Sequence, residues 1–207
     1  MKKLPTALTV LVLIAALAGC STGGDASGPG DGSAAPGGTS STGSAPAEVN
    51  DVDTHFVAMM TPHHEQAVEM SEIILAVDGV SAPTRDLAQR ILDGQAEEIG
   101  TMLGWADAWG LDDLMQMHSV HVANGMLTSD QMGSLERLAD ASTGDAAVVG
   151  EAEKTFLELM HSHHEGAIAM TQGEIEGGGH VGLRDLAQVM VDVQTAEMAE
   201  IDALLGR

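Results

Sequence analysis

The sequence predicts an all-α fold: a four-helix bundle assembled from two copies of one helical hairpin, with a helical crossover insertion between the copies. Three observations predict it. Apolar residues recur at helical spacing over four long segments. The segments repeat in pairs: Phe56, Met60, His63, His64, Glu65, Ala67 and Met70 return as Phe156, Met160, His163, His164, Glu165, Ala167 and Met170, an offset of 100 residues. Arg85-Asp86-Leu87-Ala88-Gln89, with Gln95 and Glu98, returns as Arg184-Asp185-Leu186-Ala187-Gln188, with Gln194 and Glu197, an offset of 99. Capping and breaking residues then fall where those periodic runs end.

Residues 1–19 read as an address. Met1-Lys2-Lys3 is a basic start, and Leu4 to Ala18 is an apolar run too short to span a bilayer comfortably, the pattern of a secretory signal. It closes on Leu17-Ala18-Gly19-Cys20, which resembles the lipobox of bacterial lipoproteins, so Cys20 is the expected lipidation site. The chain has no other cysteine, which excludes an internal disulfide and a Cys-rich zinc site. Residues 20–50 are then the lipidated Cys and a flexible linker, because Ser21 to Ala47 is composed only of Gly, Ser, Ala, Thr, Pro and Asp and can bury no core. The expected location is the cell membrane, on its extracytoplasmic side, through the lipid anchor alone.

The folded domain is expected over 51–207. Its first helix opens at Asp51, carries the seam Phe56, Met60, His63, Ala67, Met70 and Ile74, and ends at Asp78-Gly79, with a kink expected at Pro62. The second opens at Ser81 and Pro83, carries Leu87, Ile91, Gln95 and Met102, and closes at Gly110. Thr128 and Gln131 form a capping box for a short helix in the insertion. The third long helix is capped by Asp145 and ends at Gly177-Gly178-Gly179; the fourth carries Leu186, Met190, Val193, Glu197 and Ile201 and runs to about Leu205. Two hairpins joined by a long crossover make a bundle with an internal two-fold.

Composition narrows the function. The formal charge of -23 repels phosphate backbones and anionic headgroups, so neither nucleic acid nor a polybasic membrane contact is expected. With 13 Met and only four aromatic residues, much of the methionine is core filler. The histidine pairs are different. Two adjacent imidazoles on a core seam must be desolvated and need partners on both ring nitrogens, and that demand occurs at both repeated positions.

On a helix Met60 is three residues from His63 and four from His64, and Met160, His163 and His164 repeat the spacing. Imidazole with thioether is a soft to borderline donor set that favours copper, above all Cu(I); carboxylate-rich sets favour iron or manganese. His161 is a further candidate ligand, as are Met115, Met117, His118 and His121 in the insertion, although a Met-bearing helix packed on the bundle explains those four equally well. Glu65 and Glu165 are candidates to orient the imidazoles from behind. Position 68 is Val and 168 is Ile, so the His-Glu-x-x-His of zinc proteases is absent; only Glu158 and His161 make a Glu-x-x-His, where a di-iron bundle needs two.

Met60-Thr61-Pro62-His63-His64-Glu65, Gly125-Met126-Leu127-Thr128 with Gln131-Met132, and Phe156-Leu157 with Met160, His163-His164-Glu165-Gly166-Ala167 resemble domain-of-unknown-function family 305 of secreted bacterial proteins. The resemblance covers nearly all of 51–205. It implies a ferritin-like four-helix fold, export and, for some members, copper binding and copper tolerance; it implies no established enzyme activity. Carried over by position, the ligands are Met60, His63, His64, Met160, His163 and His164. The expectation is a lipid-anchored extracytoplasmic protein that binds or buffers copper. The alternatives are a ferritin-like oxidoreductase with iron or another transition metal, or an interaction module with structural histidines. Whether the two clusters meet in one site or form two is open at this stage.

Overall fold

A computed structural model describes residues 48–111, 113, 115 and 125–207. Cys20, the leader and most of the linker, together with Met117, His118 and His121, lie outside the described residues. Among the described residues all regular structure is helical: α1 (Asp51–Leu75), α2 (Ala82–Trp109), α3 (Ser129–Ala141), α4 (Ala146–Gly177) and α5 (Val181–Leu205). None is long and apolar enough to cross a membrane.

Local chemistry accounts for the helix ends. The cap of α1 is Asn50, one residue before the Asp51 expected from sequence. The Asn50 side chain accepts from the backbone N–H groups of Val52 and Asp53, and the Asp53 carboxylate accepts from the Asn50 N–H at 2.6 Å, closing a capping box. Asp51 is already inside the first turn, where its charge suits the helix dipole. Pro62 does not interrupt α1, which runs through it as one helix. Ser81 precedes α2, with Pro83 in its first turn, and Gly110 ends it at φ +68°, a left-handed conformation that glycine adopts without strain. Thr128 and Gln131 make the expected box on α3, and Asp145 caps α4 through the Ala147 N–H.

The repeated Arg-Asp-Leu-Ala-Gln block has a structural explanation. Arg85 donates to the carbonyls of Leu75 and Val77, at 2.8 and 3.0 Å, and so satisfies the C-terminal end of α1. Arg184 does the same for α4 through the Gly178 carbonyl, at 2.7 Å. Leu87, Ala88 and Ala187 are buried, while Gln89 and Gln188 each donate to an Asp one turn on, at the surface.

α1 packs most extensively on α2, α4 on α5, and α1 on α4, whereas α2 and α5 barely touch. The two histidine helices are therefore the inner pair. They run antiparallel: Asn50, at the start of α1, donates to the Gly177 carbonyl at the end of α4. Two apolar clusters fill the bundle. One contains Phe56, Met60, Met102, Ala167 and Met190; the other contains Ala67, Met70, Leu87, Ile91, Phe156 and Met160. The seam on α5 passes through Leu183, Ala187, Met190, Gln194 and Ile201; Val193, expected there, is 46% exposed, because the helix phase turns Gln194 inward in its place.

The crossover breaks the two-fold. Gln66 clamps it from α1, accepting from the Leu127 N–H at 2.7 Å and donating to the Leu127 carbonyl at 3.1 Å. The position equivalent to Gln66 on α4 is Gly166, against whose backbone Gly125 lies so closely that a Cβ on Gly125 would fall 2.3 Å from the Gly166 Cα. The repeat departs from itself at 66 and 166 because one segment must dock differently on the two halves.

Candidate metal centre

The antiparallel crossing of α1 and α4 brings the two halves' histidines into one layer. The His63 and His163 rings lie 3.7 Å apart, centroid to centroid, with their planes 34° apart. His64 stands 6.4 Å from His63, and His164 stands 6.5 Å from His163. All four residues are 0% exposed. The sequence left one site or two open; the geometry joins the clusters into one layer.

Carboxylates from the outer helices reach this layer. His64 Nε2 lies 2.7 Å from Glu98 Oε2, and His164 Nε2 lies 2.8 Å from Glu197 Oε2. A carboxylate only accepts, so Nε2 carries a proton in both pairs, and in the neutral ring Nδ1 is the nitrogen with the lone pair. Among the described residues neither Nδ1 has a hydrogen-bond partner, nor does either nitrogen of His63 or His163, which leaves six buried ring nitrogens unpartnered. Each unmet buried polar group costs about 1–3 kcal/mol. Burial, reinforced by the neighbouring His64 and His164, pulls His63 down to about 3. Burial likewise holds His163 well below its ordinary value, reinforced by His63, His164 and His64. Both are thus neutral near pH 7, which is the form that ligates metal.

Glu65 and Glu165 do not orient these rings. Both are exposed, since the residue after His64 or His164 is rotated about 100° around its helix. Their expected role falls to Glu98 and Glu197. The signal for that pair was present as a repeated Gln-x-x-Glu, but its proximity to the histidines arises only from the packing of α2 on α1 and α5 on α4. His161 is turned to the outer carboxylates, with Nε2 3.5 Å from Asp202 and Nδ1 3.9 Å from Glu165. Met60 and Met160 are fully buried on opposite sides of the histidine layer, one in each apolar cluster. Met115 packs, half-buried, against the cluster that holds Met60. His180 caps α5 by accepting the Leu183 N–H at 3.1 Å and packs edge-on against Trp105 and Trp109.

The donor chemistry fits a transition metal: four buried imidazoles with unpartnered ring nitrogens, two of them backed by carboxylates in the manner that fixes metal-binding tautomers. Among the described residues no three His, Cys, Asp or Glu side chains already converge on one point. The His63 and His163 rings pack directly on one another, 3.7 Å apart and tilted by 34°. Rotation of one ring about χ2, a soft torsion, is the smallest change that turns its nitrogens.

Comparison with known proteins agrees with this architecture. A putative secreted DUF305 protein from Streptomyces coelicolor is 33% identical, with TM-score 0.63 over 75% of this chain and 92% of that one. A DUF305 fragment from Deinococcus radiodurans is 25% identical, with TM-score 0.63 over 79% and 99%. CopM in its Cu(II)-bound form is 27% identical, with TM-score 0.57 over 73% and 94%. In its Cu(I)-bound form the match is 22% identical at TM-score 0.55 over the same shares, a likeness of fold. No curated protein matches. Residues 53–205 match the family described as Domain of unknown function (DUF305), and the chain belongs to that family.

Proposed function

We propose that this protein binds and buffers copper through the buried histidine layer, with His63, His64, His163 and His164 as ligands. Met60 and Met160 are the thioether ligands that would complete a Cu(I) site. The observation that carries this reading is the set of six unpartnered ring nitrogens gathered at the centre of the bundle. A purely structural histidine would have its nitrogens satisfied. CopM, seen in Cu(I)- and Cu(II)-bound forms, supports copper as the ion. Glu98 and Glu197 position His64 and His164 by fixing the proton on Nε2. The protein works outside the cytoplasm, held to the membrane by lipid on Cys20; the secreted Streptomyces relative supports export.

Anaerobic titration of the full chain with Cu(I) against a chromophoric chelator tests this. The expected result is binding much tighter than millimolar that disappears in the His63/His64/His163/His164 to Ala variant; equal binding by that variant would end the proposal.

One observation favours a second reading, a redox centre. Glu98 and Glu197 bring carboxylates to the middle of the bundle, as iron and manganese sites require. Oxidation of ferrous ion with turnover, by protein that retains iron on isolation, would favour it over buffering.

A further inference from the structure

The histidine layer is sealed, so an ion bound there needs a route. α2 and α5 barely touch, and between them lies a cleft of about 40 Å³ walled by Glu98 and Glu197 and lined by Gly94, Gln95, Val193 and Gln194. The two glutamate side chains are 17% and 12% exposed, so each spans from solvent to its histidine and leaves its second oxygen for another partner.

The glutamines are the independent observation. Gln95 is 4% exposed and Gln194 2%, and neither the carbonyl nor the amino group of either carboxamide has a hydrogen-bond partner. They occupy equivalent positions in the two halves, on opposite walls of the same cleft. Two unpartnered carboxamide oxygens lining the same cleft as two carboxylates make poor packing but supply an oxygen-donor set for a cation. Arg90, the cation at the rim, is paired with Glu200.

We propose that Gln95, Glu98, Gln194 and Glu197 form a capture site for a divalent transition-metal ion and the entrance to the histidine layer. All its donors are oxygen, which suits a hydrated divalent ion such as Cu(II) or Mn(II) and disfavours Cu(I). The two like charges across a narrow cleft concentrate cations at its mouth. An ion entering here passes from carboxylate and carboxamide oxygen to the imidazoles that the same carboxylates hold. The entrance role rests on the histidine layer as the ion's destination; the capture site does not.

Two measurements on the full chain test the proposal. In the first, Mn(II), an oxygen-preferring paramagnetic probe, is titrated while the side-chain amide NMR signals of Gln95 and Gln194 are followed. Selective, saturable broadening is expected in the wild type and in His63→Ala/His163→Ala, which leaves the cleft intact. Broadening no stronger than at surface glutamines would overturn the capture site.

In the second, Cu(II) uptake is timed in Gly94→Leu. Gly94 lines the cleft and a Cβ there meets nothing within 4 Å, so a bulky side chain can be placed beside the mouth to obstruct it. Uptake about tenfold slower at unchanged equilibrium affinity is expected; an unchanged rate would overturn the entrance. Loss of Cu(II) binding in His63→Ala/His163→Ala is the separate check on the destination, and an unaffected affinity there would sink the histidine reading while leaving the Mn(II) result to stand or fall alone.

Discussion

Among the described residues Asp53 and the four histidines are equally deeply buried, yet their polar atoms are partnered in opposite ways. At the corner where α1 begins and α4 turns into α5, Asp53 is 0% exposed and accepts three backbone N–H groups, from Asn50 at 2.6 Å, His180 at 2.8 Å and Gly179 at 3.0 Å. Burial alone would raise its carboxyl, but the donors from Asn50, His180 and Gly179, with Glu174 beside it, outweigh that and hold it below the ordinary value. In the histidine layer the burial is as deep and six ring nitrogens have no partner. The corner is a lock, tying the start of one half to the turn of the other. The layer has the same cost of desolvation with no such compensation, which is the pattern of a site kept for a ligand.

If that contrast is right, breaking each region has a different consequence. The largest effect belongs to His63→Leu with His163→Leu. Losing outer partners of a metal ligand costs 10–100-fold, so losing the ligands should weaken copper binding by more than about 100-fold. The same variant should melt at or above the wild-type temperature without metal, since unpartnered polar groups give way to apolar ones. Asp53→Ala should do the reverse: three backbone donors lose their acceptor, costing on the order of 3 kcal/mol in denaturant unfolding, with copper affinity unchanged.

Smaller effects sharpen the comparison. Glu98→Gln with Glu197→Gln keeps the shape but frees the imidazole tautomers, and should weaken copper binding by about 10-fold, measured by the same competition titration. The smallest concerns Glu174, which is pushed up to about 8, first by burial and then by its hydrogen bond to Asp53 and that residue's charge. No group donates to either Glu174 oxygen and the Asp53 charge lies beside it, so the neutral acid is the consistent form. Between its ordinary value of 4.5 and about 8 the folded state holds a proton that the unfolded chain has lost, so stability falls as pH rises through that window. Glu174→Gln should flatten the decline, seen as a smaller change in melting temperature between pH 5 and 8.

Much of this was legible in one dimension. The repeated seam predicted the helices and placed His63 and His163 inside, because periodicity reports which face is buried. Glycines, prolines and capping boxes located most helix ends because those signals are local. What spacing could not carry was the partner of each imidazole. Glu65 and Glu165 are adjacent in sequence but face solvent, while Glu98 and Glu197, 34 and 33 residues from their histidines, arrive through tertiary packing. The same limit hid the Asp53 corner, whose contacts span 126 and 127 residues.

The central claim is that copper occupies the histidine layer. Copper-edge X-ray absorption on protein loaded with one equivalent of Cu(I) tests it most directly. Strong imidazole multiple scattering is expected in the wild type and is lost in His63→Leu/His163→Leu. A spectrum without imidazole scattering, or one that the double variant leaves unchanged, would contradict it.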